Sequence, residues 1–244
     1  MKQKEKWKIY KDVFDESTMK VISKLASDGY IELVQGVIAT GKEANVYLGK
    51  APDGKEIALK IYRYETSSFN TMSKYIKGDN RFTNIKMKKR DIVKIWAKKE
   101  FKNLELAHNA GVRVPKPIIV RDNVLIMEFI GKNGNSAPIA KYLPPKEPKI
   151  WLQKVLNSIR ALYIKERLIH GDLSEYNILN FDEEPVIIDM GQGVLSDHPA
   201  AEELLKKDII NILKWFKKLG AEVPDAEKVY YDIMGEAKQN GRRL

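Results

Sequence analysis

The chain has 244 residues, 43% of them hydrophobic, and a formal net charge of +10, which suits one large domain or two small lobes and argues against wholesale disorder. It contains no cysteine and only three histidines, which excludes disulfides and thiolate metal sites and disfavours a zinc site. No apolar run could cross a bilayer, and no signal-peptide core follows the lysine-rich start, so we expect a cytoplasmic protein without a membrane partner.

The first part of the chain is rich in predicted strands. A short amphipathic helix, with an N-cap at Asp15 or Ser17 and a stop at Gly29, opens it, and we assign residues 1–30 to an N-terminal helical extension. Three glycine-punctuated extended segments follow, and the second ends in the hairpin-turn signal "PDG". Residues 66–84 are polar, which predicts a flexible loop.

The second part of the chain is rich in predicted helices. A long helix over about 91–110 is followed by two strands, a helical region opened by prolines, and a short buried strand that ends on Asp189. One more amphipathic helix and a polar tail complete the chain. This order predicts two lobes, residues 31–130 and 131–244, with a hinge near 128–131.

A lysine and a glutamate stand out within these elements. Lys60 in "EIALKIYR" lies on the strand face opposite the alternating apolar residues, where a lysine commonly just points at water. The long helix carries a stripe of residues spaced by four: Ile92, Trp96, Glu100 and Leu104. An ionised carboxylate in an apolar row is costly unless it is paired, so we predict that Glu100 pairs with Lys60. The alternatives are a solvated Glu100 at the edge of the stripe, or Glu105 as the partner.

The segment "GVIATGKEANVY" can be aligned with two phosphate-binding patterns. As a Walker sequence it has the spacing of Gly36, Gly41 and Lys42, but Glu43 stands where a metal-binding serine or threonine is needed. As a kinase glycine-rich loop, it places Ala39, Gly41 and Ala44 at the three glycine positions and ends on Val46. The spacing to Lys60 favours the second alignment.

The stretch "LIHGDLSEYNIL" sets an asparagine five residues after an aspartate, which is the spacing of a kinase catalytic loop. Asp172 would accept or orient the proton of an attacking hydroxyl, and Asn177 would present its amide oxygen to a metal. Asp189 supplies a second hard oxygen ligand, which suits Mg²⁺, with Mn²⁺ as the alternative metal. His170 is expected to hold the loop in place rather than to act as a base.

The motifs "TGKEANVY", "HGDLSEYNIL" and "IDMGQGV" resemble those of the RIO family of atypical serine/threonine protein kinases, in its first branch, and favour an archaeal source. The resemblance runs from about Phe14 to Gly220. Only about thirty residues precede the loop, whereas the second branch carries a winged-helix domain there. The resemblance implies an α+β, two-lobed, reduced protein-kinase-like fold. Its N-lobe would have an antiparallel sheet plus a helix, and its mainly helical C-lobe would lack an activation segment.

The resemblance also implies what the chain does: an ATP- and Mg²⁺-dependent kinase and ATPase that autophosphorylates on serine and acts in small ribosomal subunit maturation. Ser67, Ser68 and Ser73 are the candidate acceptors, and in relatives the aspartate matching Asp189 can carry an acyl-phosphate. The expected partner is a pre-ribosomal particle or ribosomal RNA. Residues 74–102 contain eleven lysines or arginines against three acidic residues, which favours a polyanionic partner, although a solvated lysine-rich helix face is the plain alternative.

The remaining predicted binding residues follow from position and from the family. Main-chain groups of Glu128 and Ile130 would bind adenine, with Met127 at the rear of the pocket. Apolar walls would come from Val46, Ala58 and Ile188, each of which could equally be an ordinary core residue. The loop around the phosphates comprises Ala39, Thr40, Gly41, Lys42 and Glu43.

Three departures from common protein kinases are visible. Gly171 replaces the arginine of their catalytic loop, which argues against control through a phosphorylated activation loop. Ser174 stands where they often have a lysine near the γ-phosphate, which puts transfer to ordinary peptide substrates in doubt. Only 55 residues follow Asp189, which leaves little room for peptide-docking helices.

Two other functions remain open at this point. Small-molecule phosphotransferases of the aminoglycoside or choline kinase type also use "HGD" with an asparagine five residues after the aspartate, but they usually devote a larger C-terminal lobe to the substrate. A non-catalytic RNA-binding assembly factor could retain a nucleotide pocket. Such a factor would not need all of Lys60, Asp172, Asn177 and Asp189.

Overall fold

The structure, a computed structural model, describes residues 14–82 and 88–239. The first thirteen residues of the predicted N-terminal extension and the last residues of the predicted 66–84 loop lie outside the described residues. The extension is otherwise a helix, α1, Glu16–Ser27. The Asp15 carboxylate accepts a hydrogen bond from the Thr18 N–H at 3.0 Å and Gly29 has φ +81°, so both predicted ends of the helix are confirmed.

A five-stranded antiparallel sheet follows, in the order β1-β2-β3-β5-β4. Its strands are β1 Leu33–Thr40, β2 Ala44–Lys50, β3 Glu56–Tyr62, β4 Pro117–Arg121 and β5 Val124–Glu128. The register pairs Val46 with Lys60 and Ala58 with Met127. The alternation in β3 therefore puts Leu59 into the core beneath α1 and turns Lys60 to the other face.

The predicted loop over 66–84 is wrong for its central part, which forms helix α2, Phe69–Lys77. Met72 and Ile76 are 0% and 1% exposed, and Tyr75 meets Trp96 edge-on with ring centroids 6.2 Å apart. The segment is polar overall, but its few apolar residues recur at helical spacing and are buried together. Burial of that stripe outweighs the local preference of serine and threonine for loops.

The long helix, α3, runs over Lys89–Asn109, as predicted to within two residues. Its apolar residues Trp96 and Leu104 belong to one continuous buried cluster that also holds Tyr62 of the sheet and Ile169 and Met190 of the helical half. The helix is therefore packed on two sides, against the sheet and against the rest of the chain.

The second half is mainly helical. Its helices are α4 Pro148–Glu166, α5 Ala201–Lys218 and α6 Ala226–Gln239. Its short strands are β6 Gly131–Lys132, β7 Asn135–Ser136, β8 Leu168–Ile169, β9 Ile178–Phe181, β10 Glu184–Ile187 and β11 Val194–Leu195. Residues 190–200, between Asp189 and α5, hold only a 3₁₀ turn and β11, so no activation segment is present there, as expected.

The predicted polar tail is also wrong over 226–239, where α6 forms. Its buried residues lie on one face, because Ile233 is three or four positions after the adjacent pair Tyr230 and Val229, and Ala237 is four positions after Ile233. This spacing gives the helix an apolar face that packs on α4 and α5. None of the helices within residues 14–82 and 88–239 is long and apolar enough to cross a membrane. The lobe boundary near residue 130 stays a prediction.

The end of α2 provides a test of this packing. Gly78 caps the helix with φ −89°, so alanine suits its backbone, but an added Cβ would collide with the imidazole of His198. We expect Gly78→Ala to lower the free energy of unfolding by about 1–3 kcal/mol, measured by urea denaturation. Gly235→Ala in α6, where a Cβ meets nothing within 4 Å, is the control and should stabilise slightly.

The double variant Gly78→Ala/His198→Ala separates a collision from a backbone effect. If α2 is seated against His198, truncating the ring restores much of the loss caused by Gly78→Ala. Additive losses in the double variant would contradict this placement of α2.

Candidate active site

A cleft of about 650 Å³ lies between the sheet, α3 and the β9–β10 hairpin. Fifteen of the residues predicted from the sequence line it: Ala39, Thr40, Gly41, Lys42, Glu43, Val46, Ala58, Lys60, Glu100, Met127, Glu128, Ile130, Asn177, Ile188 and Asp189. Asp172 is not part of the lining, but it contacts Gln192, which is. Gln192, Trp96 and Tyr142 also line the cleft. None of them was predicted to do so, and Trp96 was identified only as part of the apolar stripe of the long helix.

The predicted ion pair is present at the centre of the cleft. Lys60 Nζ lies 2.8 Å from both carboxylate oxygens of Glu100 and 2.8 Å from Asp189 Oδ1. Glu100 is 1% exposed and also accepts a hydrogen bond from the Tyr62 hydroxyl. Glu105 is exposed and is not the partner. One ammonium thus joins β3, α3 and the segment that carries Asp189.

The charges of Lys60 and Asp189 each stabilise the ionised form of the other. Burial alone would lower the pKa of Lys60, but the carboxylates of Asp189 and Glu100 outweigh it and raise that pKa. The positive charge of Lys60 in turn lowers the pKa of Asp189 against the opposing effect of desolvation. The ammonium and the Asp189 carboxylate therefore both stay charged at neutral pH, and Asp189 remains half-exposed toward the cleft.

The predicted phosphate loop is the tight turn between β1 and β2. The Gly41 N–H donates to the Ala44 carbonyl at 2.9 Å, and a Cβ at Gly41 would approach that oxygen to 3.1 Å, which explains the glycine. The segment after β3 braces the turn, since the Thr66 hydroxyl donates to the Lys42 carbonyl at 3.3 Å. Burial and the nearby Asp189 carboxylate raise the pKa of Glu43.

The loop that carries Asp172 is held from two sides. His170 accepts the Asp172 N–H at Nδ1 (3.3 Å), which leaves Nε2 to donate to the Ile188 carbonyl at 3.0 Å. Asp208 on α5, 1% exposed, accepts the N–H groups of Gly171 and Leu173, each at 2.7 Å. The structural position of His170 agrees with expectation. Asp208 was not anticipated, although an aspartate on the apolar face of a helix is a signal for a buried hydrogen-bonding role.

The two polar residues of that loop face different partners. The Asn177 amide nitrogen donates to the Asp172 carbonyl at 2.8 Å, which leaves the amide oxygen as the atom that could bind a metal ion. The Asp172 carboxylate, 41% exposed, lies 3.0 Å from Lys207 Nζ on α5 and 3.2 Å from Gln192 Nε2. Lys207 is a further contact that the sequence analysis did not identify.

Helix α3 also hydrogen-bonds to the turn that follows Asp189. Asn103 Nδ2 donates to the carbonyls of Met190 and Gly193, each at 2.8 Å. Lys99, which is 0% exposed, donates to Gly191 at 3.1 Å and to Gly193. Burial lowers the pKa of Lys99 to about 7, although Asp79 opposes the shift. Two consecutive turns of one helix thus hold both Lys60 and the backbone next to Asp189.

Residues 45–229 match the RIO domain. The chain is similar to the RIO-type serine/threonine-protein kinase Rio1 of Haloferax volcanii, with 42% identity over 99% of this chain and 82% of the relative. It is similar to that of Methanocaldococcus jannaschii with 41% identity over 85% and 71%. The human serine/threonine-protein kinase RIO1 is 38% identical, and the chain spans 39% of its length.

Among solved structures, the chain is similar to the Rio2 kinase of Chaetomium thermophilum. A complex of that kinase with ADP, Mg²⁺ and phosphoaspartate superimposes with a TM-score of 0.65 at 22% identity. The superposition covers 87% of this chain and 65% of that one. This likeness shows a shared fold, in agreement with the predicted two-lobed, kinase-like architecture.

Lys99 gives this site a measurable dependence on pH. Burial gives Lys99 a pKa of about 7 in the folded protein, against the ordinary lysine pKa of 10.5. Between these two pH values the unfolded chain binds a proton that the folded chain does not. Folding is therefore favoured as pH rises through this window, by at most about 1.4 kcal/mol per pH unit. We expect the unfolding free energy of wild type minus that of Lys99→Met to rise from pH 7 to 10 and to level off below pH 7.

Urea titrations followed by tryptophan fluorescence would measure this difference. Lys102→Met, which removes an exposed lysine of the same helix, is the matched control. Stability curves for wild type and Lys99→Met that run parallel across the window would disprove the expected titration.

Proposed function

The chain belongs to the RIO family of serine/threonine-protein kinases, and from this membership we propose that it is an ATP- and Mg²⁺-dependent kinase and ATPase that phosphorylates itself and acts in small ribosomal subunit maturation. The observation that carries the proposal is the position of Lys60, tied to Glu100 and to Asp189 inside a nucleotide-sized cleft. Family membership does not favour either the small-molecule phosphotransferase or the non-catalytic assembly factor.

The cleft has the features that a nucleotide requires. Val46, Ala58, Met127 and Ile188 line it with apolar surface suited to a base. The Glu128 carboxylate is engaged by Arg113 through two contacts of 2.7 Å, and its N–H donates to the Lys116 carbonyl at 2.8 Å. Its main-chain carbonyl is therefore the candidate acceptor for adenine. The Ile130 carbonyl accepts from Ala137 at 2.9 Å, which makes the Ile130 N–H the candidate donor to the base.

The metal-binding residues suit Mg²⁺ bound together with phosphate. Within the described ranges no group of three acidic, histidine or cysteine residues could hold a metal by itself. The Asn177 amide oxygen and the Asp189 carboxylate form a partial oxygen site of the kind that Mg²⁺ completes with phosphate oxygens and water. When bound, the ion would neutralise charge on the nucleotide phosphates.

The proposed reaction uses the chain's own residues in separate roles. Lys60 binds phosphate oxygens of ATP, and Asp172 orients the attacking hydroxyl of serine or water and takes its proton. The hydroxyl oxygen bonds to the γ-phosphorus while the bond from that phosphorus to the bridging oxygen breaks, and the electron pair leaves with ADP. If Asp189 attacks instead, its carboxylate oxygen has no proton to lose and the product is an acyl-phosphate.

Serine acceptors near the cleft support self-phosphorylation. Ser68 hydrogen-bonds to Glu43 of the phosphate loop, Ser67 is exposed beside it, and Ser73 is partly exposed within α2. Ser68 is therefore the candidate acceptor that contacts the phosphate loop.

Labelling with ATP that carries a labelled γ-phosphate tests the proposal. Wild type with Mg²⁺ should incorporate label, and Lys60→Met and Asp189→Asn should lower incorporation by at least about a hundredfold because phosphate and metal binding are lost. Lys55→Met removes an exposed lysine that pairs with Asp53 and should behave as wild type. Failure of wild type to incorporate label or to hydrolyse ATP would refute the proposed activity.

Hydroxylamine distinguishes the two acceptors in the same experiment. Label released by hydroxylamine and missing from Asp189→Asn indicates the acyl-phosphate, whereas label that resists hydroxylamine indicates serine. Complete resistance in wild type would rule out Asp189 as an acceptor.

The exposed side of α3 supports a nucleic-acid partner. Lys98 and Lys102, four residues apart, are exposed on its solvent side, and Lys94, one turn earlier, is partly exposed and pairs with Asp122 at 2.9 Å. Like charges at this spacing destabilise a helix slightly, and a polyanion would relieve that repulsion. Ribosomal RNA is the polyanion that the family resemblance implies.

A salt titration tests this surface. Binding to a ribosomal RNA fragment should weaken steeply with salt, and the slope of log K against log salt should fall by about 2 in Lys98→Gln/Lys102→Gln, because about one phosphate contact is lost per lysine. Lys217→Gln/Lys218→Gln removes the same charge at the end of α5 and is the control. Equal slopes for both double variants would exclude α3 as the RNA-binding surface.

A further inference from the structure

An ammonium group from α5 reaches the proposed catalytic aspartate. Lys207 Nζ lies 3.0 Å from Asp172 Oδ1, and the two side chains are 46% and 41% exposed, so both are accessible to solvent. Ser174, two residues after Asp172, brings no charge to this loop. Among the described residues, Lys207 is the cation in contact with Asp172.

The charge balance of the cleft explains why this contact matters. Asp172 and Asp189 are both acidic, and a phosphoryl group in transfer adds several negative charges between them. Lys60 is already engaged by Glu100 and Asp189. The Mg²⁺ proposed at Asn177 and Asp189 would neutralise part of this charge, and a further cation beside Asp172 would offset the charge that remains at that end of the cleft.

The position of Lys207 is fixed by its neighbour in sequence. Asp208 is buried and holds the N–H groups of Gly171 and Leu173, the residues on either side of Asp172. The helix that fixes the loop therefore also sets the distance from Lys207 to it. Burial acts to lower the pKa of Lys207, but its bond to Asp172 outweighs this effect and raises the pKa, so the amine is protonated at neutral pH.

We propose that Lys207 is a catalytic residue whose ammonium contacts the phosphoryl group as it passes from nucleotide to acceptor. The inference rests on the proposed phosphotransfer function. While the bond to the acceptor oxygen forms and the bond to ADP breaks, Lys207 offsets the charge on the phosphoryl oxygens. Asp172 still has lone pairs free to take the acceptor's proton, because each carboxylate oxygen has two.

Binding of ADP with Mg²⁺, in the presence and absence of aluminium fluoride, tests this role without turnover. Aluminium fluoride bound next to ADP imitates the transferring phosphoryl group, so it should tighten binding to wild type. In Lys207→Met, ADP should bind as to wild type within about twofold. The tightening by aluminium fluoride should fall about tenfold or more, the size expected for a hydrogen bond between charged groups.

Two variants control this measurement. Lys206→Met removes the neighbouring lysine, which pairs with Glu202 at 2.6 Å on the protein surface, and should keep the full tightening. Lys207→Arg keeps the charge and should retain most of it, which makes the test independent of any folding defect in Lys207→Met. Steady-state ATP hydrolysis by Lys207→Met should show a lower kcat with KM for ATP nearly unchanged.

The outcomes separate the inference from the function on which it rests. Wild type that binds no ADP refutes the proposed function and the role of Lys207 together. Wild type that binds ADP, with equal tightening in wild type and Lys207→Met, refutes the role of Lys207 alone. An equal loss in Lys206→Met, or no tightening in wild type, also counts against a specific cation at this position.

Discussion

The ammonium of Lys60 is the point on which the arrangement of the cleft depends. It lies between a buried glutamate of α3 and the aspartate that follows β10, at 2.8 Å from each. A buried ion pair of this kind is not a cheap source of stability, because both charges must leave water. Its value is geometric, since it sets the sheet, α3 and the Asp189 segment at defined distances from one another.

Much of this geometry could be predicted from local patterns. A carboxylate in an apolar helical stripe has few ways to be satisfied, so Glu100 pointed to Lys60. The strands could be predicted from apolar residues that alternate with polar ones, and the long helix from apolar residues spaced by about four. The two segments assigned wrongly, 69–77 and 226–239, are polar on average, and their few apolar residues are buried only because other helices cover them. That cover comes from tertiary packing, which composition does not reveal.

The contacts that the sequence did not reveal share one property: each joins residues far apart along the chain. Asp208 and Lys207 reach the Asp172 loop from about 35 positions away, and Lys99 reaches Gly191 from 92. The two lysines carry no local signature, since a lysine on a helix is ordinarily solvated, whereas Asp208 differs in lying on the apolar face of α5. Only the fold turns them toward the backbone and the carboxylate that they contact.

The grip of α3 on the turn after Asp189 limits how this chain can be inhibited or regulated. Swinging the helix outward would break the Lys99, Glu100 and Asn103 contacts together and would open the continuous core behind Trp96. A compound that acts by binding a conformation with α3 displaced would have to supply the free energy of all these lost contacts. Selective ligands for this chain should therefore compete for the nucleotide cleft with α3 in place, and discriminate by the shape of that cleft.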